Sequence, residues 1–271
     1  MNPARVLALL RRGGARRWAL LAVVAVLAAV GGLLVARPFA GGGDDDGAFR
    51  PRFPQQGLVT NEFAYWHPNE PHVRHSPDWV MTSGSLFGKD GAGWTGAPDG
   101  AGPDARSAGA TDSAVFRLTS RERDFGDTTV RLRLRVEDLV TTARTPAQPY
   151  DGVHIWLRFR SERETYAVSV ARRDGEVAVK RKTPGGASNG GTYVTLAHAH
   201  SPAPQGSWLE VATSARTLPD GRVRVTLDLA GRRVLDVVDD EPGGLARPGA
   251  VGIRGDNTEF LFTHFSARAA T

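Results

Sequence analysis

The stretch "TTVRLRLRVEDL", Thr128–Leu139, alternates apolar and charged side chains with a period of two. Its apolar members are Val130, Leu132, Leu134 and Val136, and its basic members are Arg131, Arg133 and Arg135. Successive side chains of a β-strand point to opposite faces, so this pattern predicts a strand with one face in a core and the other in water. The segment therefore indicates a sheet protein.

Other segments repeat the alternation. "RVRVTLDLAGRRVLDVV" (222–238) predicts a hairpin that turns at "AGRR", with Val223, Val225, Leu227 and Leu229 facing inward. "SAVFRLTS", "SWLEVATS" and "EFLFTHFSA" add strands, and clusters of Gly, Pro, Asp and Asn separate them. Because no convincing amphipathic helix follows residue 57, we expect an all-β, two-sheet antiparallel jelly-roll sandwich over residues 57–271.

The central segment "YAVSVARRDGEVAVKRK" (166–182) predicts a register. Asp174-Gly175 favours a two-residue type I′ turn, which pairs Val170 with Val179. If "SERE" (161–164) is a four-residue loop, the preceding strand pairs Leu157 with Val168. Both registers bury one set of side chains, namely Ile155, Leu157, Phe159, Tyr166, Val168, Val170, Val177 and Val179. A slip of one residue would expose them all.

The opposite face then carries a shallow trough. Its predicted cross-strand rows are His154/Ala171/Ala178, Trp156/Ser169/Lys180 and Arg158/Ala167/Lys182. In one interpretation this is a solvated face, with Trp156 covered by the loop "TPGGASNGGTYV" (183–194). In the other, the indole stacks on a sugar ring while cationic and polar neighbours bond to hydroxyls or carboxylates. The candidate carbohydrate-binding residues are His154, Trp156, Arg158, Lys180, Lys182 and Tyr193.

Three stretches carry a resemblance to a known family: "SPDWVMTSGSLF" (76–87), the segment from Tyr150 to Gly186 that contains "GVHIWLRFR", and "PGAVGIRGDNTEFLFTHFSA" (248–267). Together they resemble the concanavalin A-like lectin/glucanase superfamily, which includes laminin-G-like domains, glycan-binding modules and polysaccharide lyases. The resemblance implies a jelly roll whose ligand lies across the concave sheet, where the trough is predicted. The expected ligand is a polysaccharide or cell-envelope glycan, and the basic side chains of the trough favour an acidic one.

Catalysis is the alternative function. Retaining glucanases of this fold carry two carboxylates on one strand in an E-x-D-x-(x)-E pattern, which this sequence lacks. "LDVVDDE" (235–241) comes nearest, and it reads better as a strand end that enters a loop. A lyase would need only a basic group and a proton-transfer residue, roles open to His154 and Tyr193. The Gln-x-His triplet on the histidine strand of alginate-lyase-like enzymes is absent, however, because Gly152 stands where that pattern has Gln. A protein-interaction sandwich is the third hypothesis.

No cofactor is required by these hypotheses. The chain has no cysteine, which excludes disulfides and thiolate metal sites. Asp256-Asn257 predicts a turn between closing strands, or else Asp256 contributes to a structural calcium site. "GWTGAPDGAGPD" (93–104) offers Asp99 and Asp104 as further calcium candidates. The histidines of the proline-broken stretch 61–75 favour a surface loop over a metal site; they are His67, His72 and His75.

The N-terminal segment predicts a membrane anchor. "WALLAVVAVLAAVGGLLVA" (18–36) has no charged residue, and as a helix it would span about 28 Å, close to a bilayer core. Five arginines precede it and an acidic run, 44–46, follows it. This bias predicts a cytoplasmic N-terminus (1–17), a flexible linker (37–56) and an extracytoplasmic sandwich. A cleaved signal peptide and a secreted domain are the alternative.

The charge distribution argues against nucleic acid. The chain has a net charge of +5, but residues 1–40 carry six arginines and no acid, which leaves −1 for the remainder. A protein that binds phosphate backbones is expected to carry its excess charge on the folded domain. The Arg and Ala content suits a bacterial genome rich in GC.

Overall fold

A computed structural model of the chain describes residues 47–97 and 114–270. The predicted segments 1–17 and 18–36, and the linker up to residue 46, lie outside this part. Within it, no helix combines the length and the apolar character needed to span a bilayer. The strands are β1 (Gly57–Asn61), β2 (Trp79–Ser83), β3 (Ser85–Lys89), β4 (Ala92–Trp94), β5 (Val115–Ser120), β6 (Thr128–Leu139), β7 (Gly152–Ser161), β8 (Glu164–Val170), β9 (Glu176–Ser188), β10 (Gly191–His200), β11 (Leu209–Thr217), β12 (Val223–Leu229), β13 (Arg232–Asp239), β14 (Ala250–Asp256) and β15 (Thr258–Ala269). The short helix α1 is Glu62–Trp66, and a 3-10 turn covers Gly243–Ala246.

These strands form two antiparallel sheets packed face to face. The eight-stranded sheet has the order β1-β3-β4-β15-β6-β11-β12-β13, and the seven-stranded sheet has the order β10-β9-β8-β7-β14-β5-β2. One hydrophobic core, built from the inward side chains of both sheets, lies between them. The expected all-β, two-sheet sandwich is confirmed.

The period-two segments form the strands predicted for them. On β6 the four apolar side chains are buried, whereas Arg131 and Arg133 are exposed. The β12–β13 hairpin turns at Ala230-Gly231, where both residues have positive φ (47° and 77°), as a type I′ turn requires. Burial on one face therefore selects the register of both elements.

The chain crosses between the sheets at Asn257. This residue alone joins β14 of one sheet to β15 of the other, with a φ of 46°. Its side-chain Nδ2 donates to Oδ2 of the buried Asp151, 2.9 Å away. Asparagine tolerates the left-handed region better than most residues. The predicted turn at Asp256-Asn257 is therefore confirmed.

The predicted register of the central strands is right at the outer two and wrong at the middle one. His154 on β7 lies in line with Ala178 on β9, and Trp156 with Lys180, as predicted. The residue between them on β8 is Ser169 in the first row and Ala167 in the second, a shift of two. An even shift keeps every side chain of β8 on its predicted face, so the buried valines stay buried.

The turn after β8 accounts for the shift of β8 relative to β9. The predicted two-residue type I′ turn is wrong, because residues 171–175 form the connection and Gly175 N donates to Arg172 O. The Asp174 side chain accepts from Glu176 N at 3.0 Å. Asp174-Gly175 is thus the second half of a turn that begins at Arg172.

A β-bulge in β7 accounts for the shift of β8 relative to β7. The pairing of β7 with β8 is interrupted between Leu157 and Ser161, and Arg158 has a φ of 49°. A residue in this conformation breaks the alternation of faces. Phe159, predicted to face the core, therefore lies on the outer face beside Trp156, with ring centroids 4.6 Å apart and nearly parallel.

Arg158 itself leaves the predicted trough. The Nε atom donates to Gly126 O at 3.1 Å, and Nη1 donates to Leu245 O at 2.8 Å. The Nη2 atom lies 2.8 Å from Asp127 Oδ1 and 2.9 Å from Thr217 Oγ1. The side chain is 1% exposed. Assigning Arg158 to carbohydrate binding is therefore incompatible with its position, because all three guanidinium nitrogens bond to the protein.

We expect Arg158→Ala to destabilise the fold by about 3 kcal/mol, because it removes the donors of one buried and one partly buried carbonyl group and breaks an ion pair. Urea unfolding followed by circular dichroism measures this change. Arg131→Ala is the matched control, and it should cost less than about 0.5 kcal/mol because its guanidinium is exposed on β6. Equal effects of the two substitutions would contradict a structural role for the bulge.

Candidate functional site

A row of polar side chains crosses the outer face of the seven-stranded sheet. Directly paired residues of neighbouring strands lie on the same face. The pairings place Arg117 of β5 beside Arg254 of β14, Arg254 beside His154 of β7, and His154 beside Ser169 of β8. Four strands from three separate parts of the chain thus contribute to one line of hydrogen-bonding groups.

This row lines a pocket of about 410 Å³, here called the outer-face pocket. Ala167 and Lys180 extend its floor, Asp256 and Tyr150 lie at its border, and residues 187–189 at the tip of the β9–β10 hairpin cover one side. Its complete lining is Arg117, Tyr150, His154, Ala167, Ser169, Lys180, Ala187, Ser188, Asn189, Tyr193, Arg254 and Asp256. The size is that of a small-ligand site.

Asp256 is held between two basic side chains. One of its carboxylate oxygens lies 2.9 Å from Arg254 Nε and 3.1 Å from His154 Nε2. Burial by itself would raise the pKa of Asp256, but the Arg254 charge and the hydrogen bond from His154 hold that pKa well below its usual range. The carboxylate is therefore ionised, and its main effect is to fix the direction of Arg254.

The His154 ring is positioned through both nitrogens. Its Nδ1 lies 2.8 Å from Ser169 Oγ, and its Nε2 faces Asp256. Burial lowers the pKa of His154, although Asp256 acts in the opposite direction. A neutral ring with its proton on Nε2 suits both neighbours, because Nδ1 then accepts from the Ser169 hydroxyl and the N–H on Nε2 faces the Asp256 carboxylate, 3.1 Å away.

Trp156 lies on the predicted face but is sealed. The side chain is only 1% exposed, and it forms a small apolar cluster with Phe159, Ala167 and Ala250, against which Tyr193 packs. The expectation of an open indole platform is therefore wrong. The bulge at Arg158 explains the difference, because it turns Phe159 onto the indole.

The two lysines of β9 differ in exposure. Lys180 is half-buried and lines the outer-face pocket, whereas Lys182 is 1% exposed and lies beneath the Tyr193 ring, with Nζ 4.7 Å from its centroid. Tyr193 contributes to the pocket wall, and its hydroxyl group lies 3.4 Å from Arg254 Nη1. The structure thus brings His154, Lys180 and Tyr193 into one pocket, with Lys182 behind Tyr193.

Sequence reasoning missed three pocket residues: Arg117, Tyr150 and Arg254. Arg254 and Asp256 are two apart on β14, which places them on one face. The stretch "GIRGD" shows this spacing, but it does not show that β14 pairs with β7 and β5. Tyr150 precedes β7 on a loop, where no periodicity applies.

The structure describes some of the residues that were considered as metal ligands. Asp256 bonds to Arg254 and His154, which a calcium ion would have to replace, and Asp99 and Asp104 lie outside the described residues. In residues 47–97 and 114–270, no three His, Asp or Glu side chains group as metal ligands would. The histidines of the α1 region follow the short helix in an irregular segment, as expected; they are His67, His72 and His75.

The acidic stretch "LDVVDDE" is the end of β13 and the loop after it, as predicted. The Asp239 carboxylate is 1% exposed; it accepts from Tyr166 OH at 2.7 Å and from Arg181 Nη1 at 2.6 Å. These bonds tie β13 to β8 and β9 at the edge of the core. The carboxylate is thus part of the scaffold.

Several solved structures superpose on most of this chain. The carbohydrate-binding module CBM66 from Bacillus subtilis is 12% identical, with a TM-score of 0.48 over 70% of this chain and 94% of its own. A protein of unknown function with a galectin-like fold from Bacillus subtilis is 14% identical, with a TM-score of 0.49 over 71% and 90%. A legume lectin-like domain from Entamoeba histolytica is 8% identical, with a TM-score of 0.46 over 72% and 91%. All three TM-scores lie below 0.5 and the identities are 14% or less, so these similarities concern the fold alone. No protein-family model matches the sequence, and no curated protein matches it.

We expect the His154 ring to titrate below pH 6.5, its ordinary pKa, in the folded protein. Because the unfolded chain then takes up this proton first, the stability that the neutral ring contributes is present above about pH 6.5 and is lost as the pH falls below it. NMR titration of the ring measures the midpoint. In His154→Gln, the unfolding free energy should depend less on pH between about 5 and 7. A midpoint above 6.5 would contradict the desolvated geometry.

Proposed function

We propose that the chain is a glycan-recognition protein, lectin-like in action, which binds its ligand in the outer-face pocket. The observation that carries the proposal is the pocket itself, which is open, about 410 Å³ in volume and lined by hydrogen-bonding side chains from six strands. Strands in the interior of the sheet hold Arg117, His154, Ser169 and Arg254 in place, which reduces the ordering cost of binding. A sugar offers many hydroxyl groups to such a lining.

The charge of the lining favours an acidic glycan. Arg117, Lys180 and Arg254 are basic, and Asp256 is the one carboxylate among the described lining residues. Asp256 is already bonded to Arg254, and Arg117 Nε lies 3.9 Å from Glu162, which is too long for a strong hydrogen bond. An excess of positive charge therefore remains. A uronate carboxylate or a sulfate group would neutralise this excess and accept charge-assisted hydrogen bonds from the basic side chains.

Tyr150 supplies the aromatic surface that we first expected from Trp156. Its side chain is 47% exposed at the pocket border. A phenol ring in this position can cover the apolar C–H face of a sugar while its hydroxyl group stays in water. The stacking group thus comes from the loop before β7, and the polar groups come from the sheet.

The proposal extends to location. The apolar segment 18–36 and the arginines before it support a single-pass anchor with a cytoplasmic N-terminus, which would hold the sandwich at the cell envelope. Protease added to intact cells should then cut between residues 41 and 47, and full protection would contradict this arrangement.

Binding should depend on two pocket residues. We expect Tyr150→Ala and Lys180→Met each to weaken glycan binding by about tenfold, through loss of stacking and of a charged hydrogen bond. The full chain, purified in a detergent without a sugar headgroup, is tested on a glycan array and by calorimetry. Tyr65→Ala is the matched control, because Tyr65 is 48% exposed and lies outside the pocket lining.

The outcomes separate the hypotheses. A blank array, or binding that Tyr65→Ala abolishes and Tyr150→Ala leaves intact, would overturn the proposal. His154 and Tyr193 line the same pocket, so a lyase remains the second candidate. It would release unsaturated uronides from a polyuronate, detected by ultraviolet absorption.

A further inference from the structure

Tyr193 covers a second, inner set of side chains beside the outer-face pocket. Its ring packs against the cluster that contains Trp156 and Ala167, and Lys182 Nζ lies 4.7 Å from the ring centroid. At the other end, the Tyr193 hydroxyl group makes one long contact of 3.4 Å with Arg254 Nη1. The ring thus separates the pocket from the groups behind it.

Two donors beside this ring, one fully shielded from solvent and one with slight residual exposure, form no hydrogen bond to the described residues. The indole Nε1 of Trp156 is shielded from solvent and makes no hydrogen bond within residues 47–97 and 114–270. Lys182 is 1% exposed, and no described residue forms a hydrogen bond or ion pair with its ammonium group. Buried donors without partners destabilise a fold, so their persistence needs a reason. An acceptor that arrives from outside would provide one.

The surroundings of Lys182 favour an anion. The charged groups that face its ammonium are Arg254 and Asp256 on β14, Arg117 on β5, and Glu162 in the β7–β8 turn. Burial lowers the pKa of Lys182 to about 8, and Arg254 and Arg117 act in the same direction. An amine with this pKa is still about nine-tenths protonated at pH 7. The inner groups therefore present positive charge and a neutral N–H.

The ring is attached to a weakly restrained part of the sheet. β10 is an edge strand, so it is hydrogen-bonded on one side only. Its pairing with β9 is irregular between Thr195 and Ala197, just after Tyr193. On the other side of Tyr193, the hairpin tip contains Gly190 and Gly191. Edge segments flanked by irregular pairing open at low free-energy cost.

We propose that Tyr193 is a movable cover over an inner anion subsite, in which a carboxylate or sulfate group of the glycan displaces the ring and accepts hydrogen bonds from Lys182 and Trp156. This inference rests on the proposed function and deepens it. The outer-face pocket binds the sugar, and the inner subsite distinguishes a charged glycan from a neutral one. A neutral glycan would leave the ring in place.

The cover is tested without a glycan, by brief treatment with acetic anhydride and mass spectrometry. We expect Lys182 to be acetylated slowly in the unmodified chain and at least about tenfold faster in Tyr193→Ala, because the ring shields it. Lys89 is the matched control, since its Nζ also lies over an aromatic ring, 4.3 Å from the Trp94 centroid. Equal acetylation of Lys182 in both proteins would overturn the cover.

The subsite is tested with two probes, a galacturonic acid trisaccharide and the corresponding galactose trisaccharide. Lys182→Met should weaken binding of the acidic probe by about tenfold and leave the neutral probe within about twofold, because only the charged hydrogen bond is lost. Lys89→Met should change neither. Lys182→Met removes a desolvated charge and keeps the volume, so we expect it to fold with an unchanged or higher Tm.

The outcomes distinguish this inference from the function on which it rests. If the unmodified chain binds the acidic probe and Lys182→Met binds it equally well, the inner subsite is wrong and glycan recognition stands. If the unmodified chain binds neither probe nor any glycan, both are wrong. Loss of both probes in Lys182→Met, with an intact circular dichroism spectrum, would also contradict a subsite that reads charge alone.

Discussion

The guanidinium of Arg158 anchors the bulge that shapes the outer face of the seven-stranded sheet. It joins four parts of the chain: the bulge in β7, the segment at Gly126 and Asp127, the end of β11 at Thr217, and the 3-10 turn at Leu245. Without these bonds, the left-handed conformation at residue 158 would be an unfavourable choice for a side chain with a Cβ atom. With them, the conformation is fixed, and β7 changes the face on which its next residue lies.

This change of face at Arg158 divides the outer face of the seven-stranded sheet into two parts. On one side of the division, Phe159 and Trp156 stack under Tyr193 and exclude water. On the other, His154, Ser169 and Arg254 stay beside open space. Because a dry apolar cluster adjoins a row of charges, the electrostatic interactions of that row are stronger than they would be on a flat solvated sheet. Burial at this boundary shifts the pKa values of His154 and Lys182.

The sequence predicted the two sheets well, because buried and exposed side chains alternate along a strand with a period of two. The alternation on β6 and β12, and the turn at Asn257, follow from rules that act on neighbouring residues. Even the wrong turn at Asp174-Gly175 changed no face, since the strand moved by two residues. What periodicity could not predict was the bulge, because "LRFRSER" continues the alternation without any sign of a break. Arg158 and Phe159 were therefore assigned to each other's faces.

The candidate site was predicted in part for the same reason. His154, Lys180 and Tyr193 come from one contiguous segment, whose strands pair as neighbours, and they do line one pocket. Arg254 reaches it by pairing with His154, 100 residues away, and Arg117 by pairing with Arg254, 137 residues away, and no local pattern encodes such pairings. Long-range strand order thus decides the charge of the pocket, and only the structure provides that order.

The central claim is that ligand binds on the outer face of the seven-stranded sheet. The most direct measurement is ¹⁵N NMR of the chain during titration with the galacturonic acid trisaccharide. We expect the amide shifts to change at His154, Ser169, Lys180 and Arg254, with β6 and β12 unaffected. Changes confined to the outer face of the eight-stranded sheet, around Arg131 and Arg224, would contradict the account.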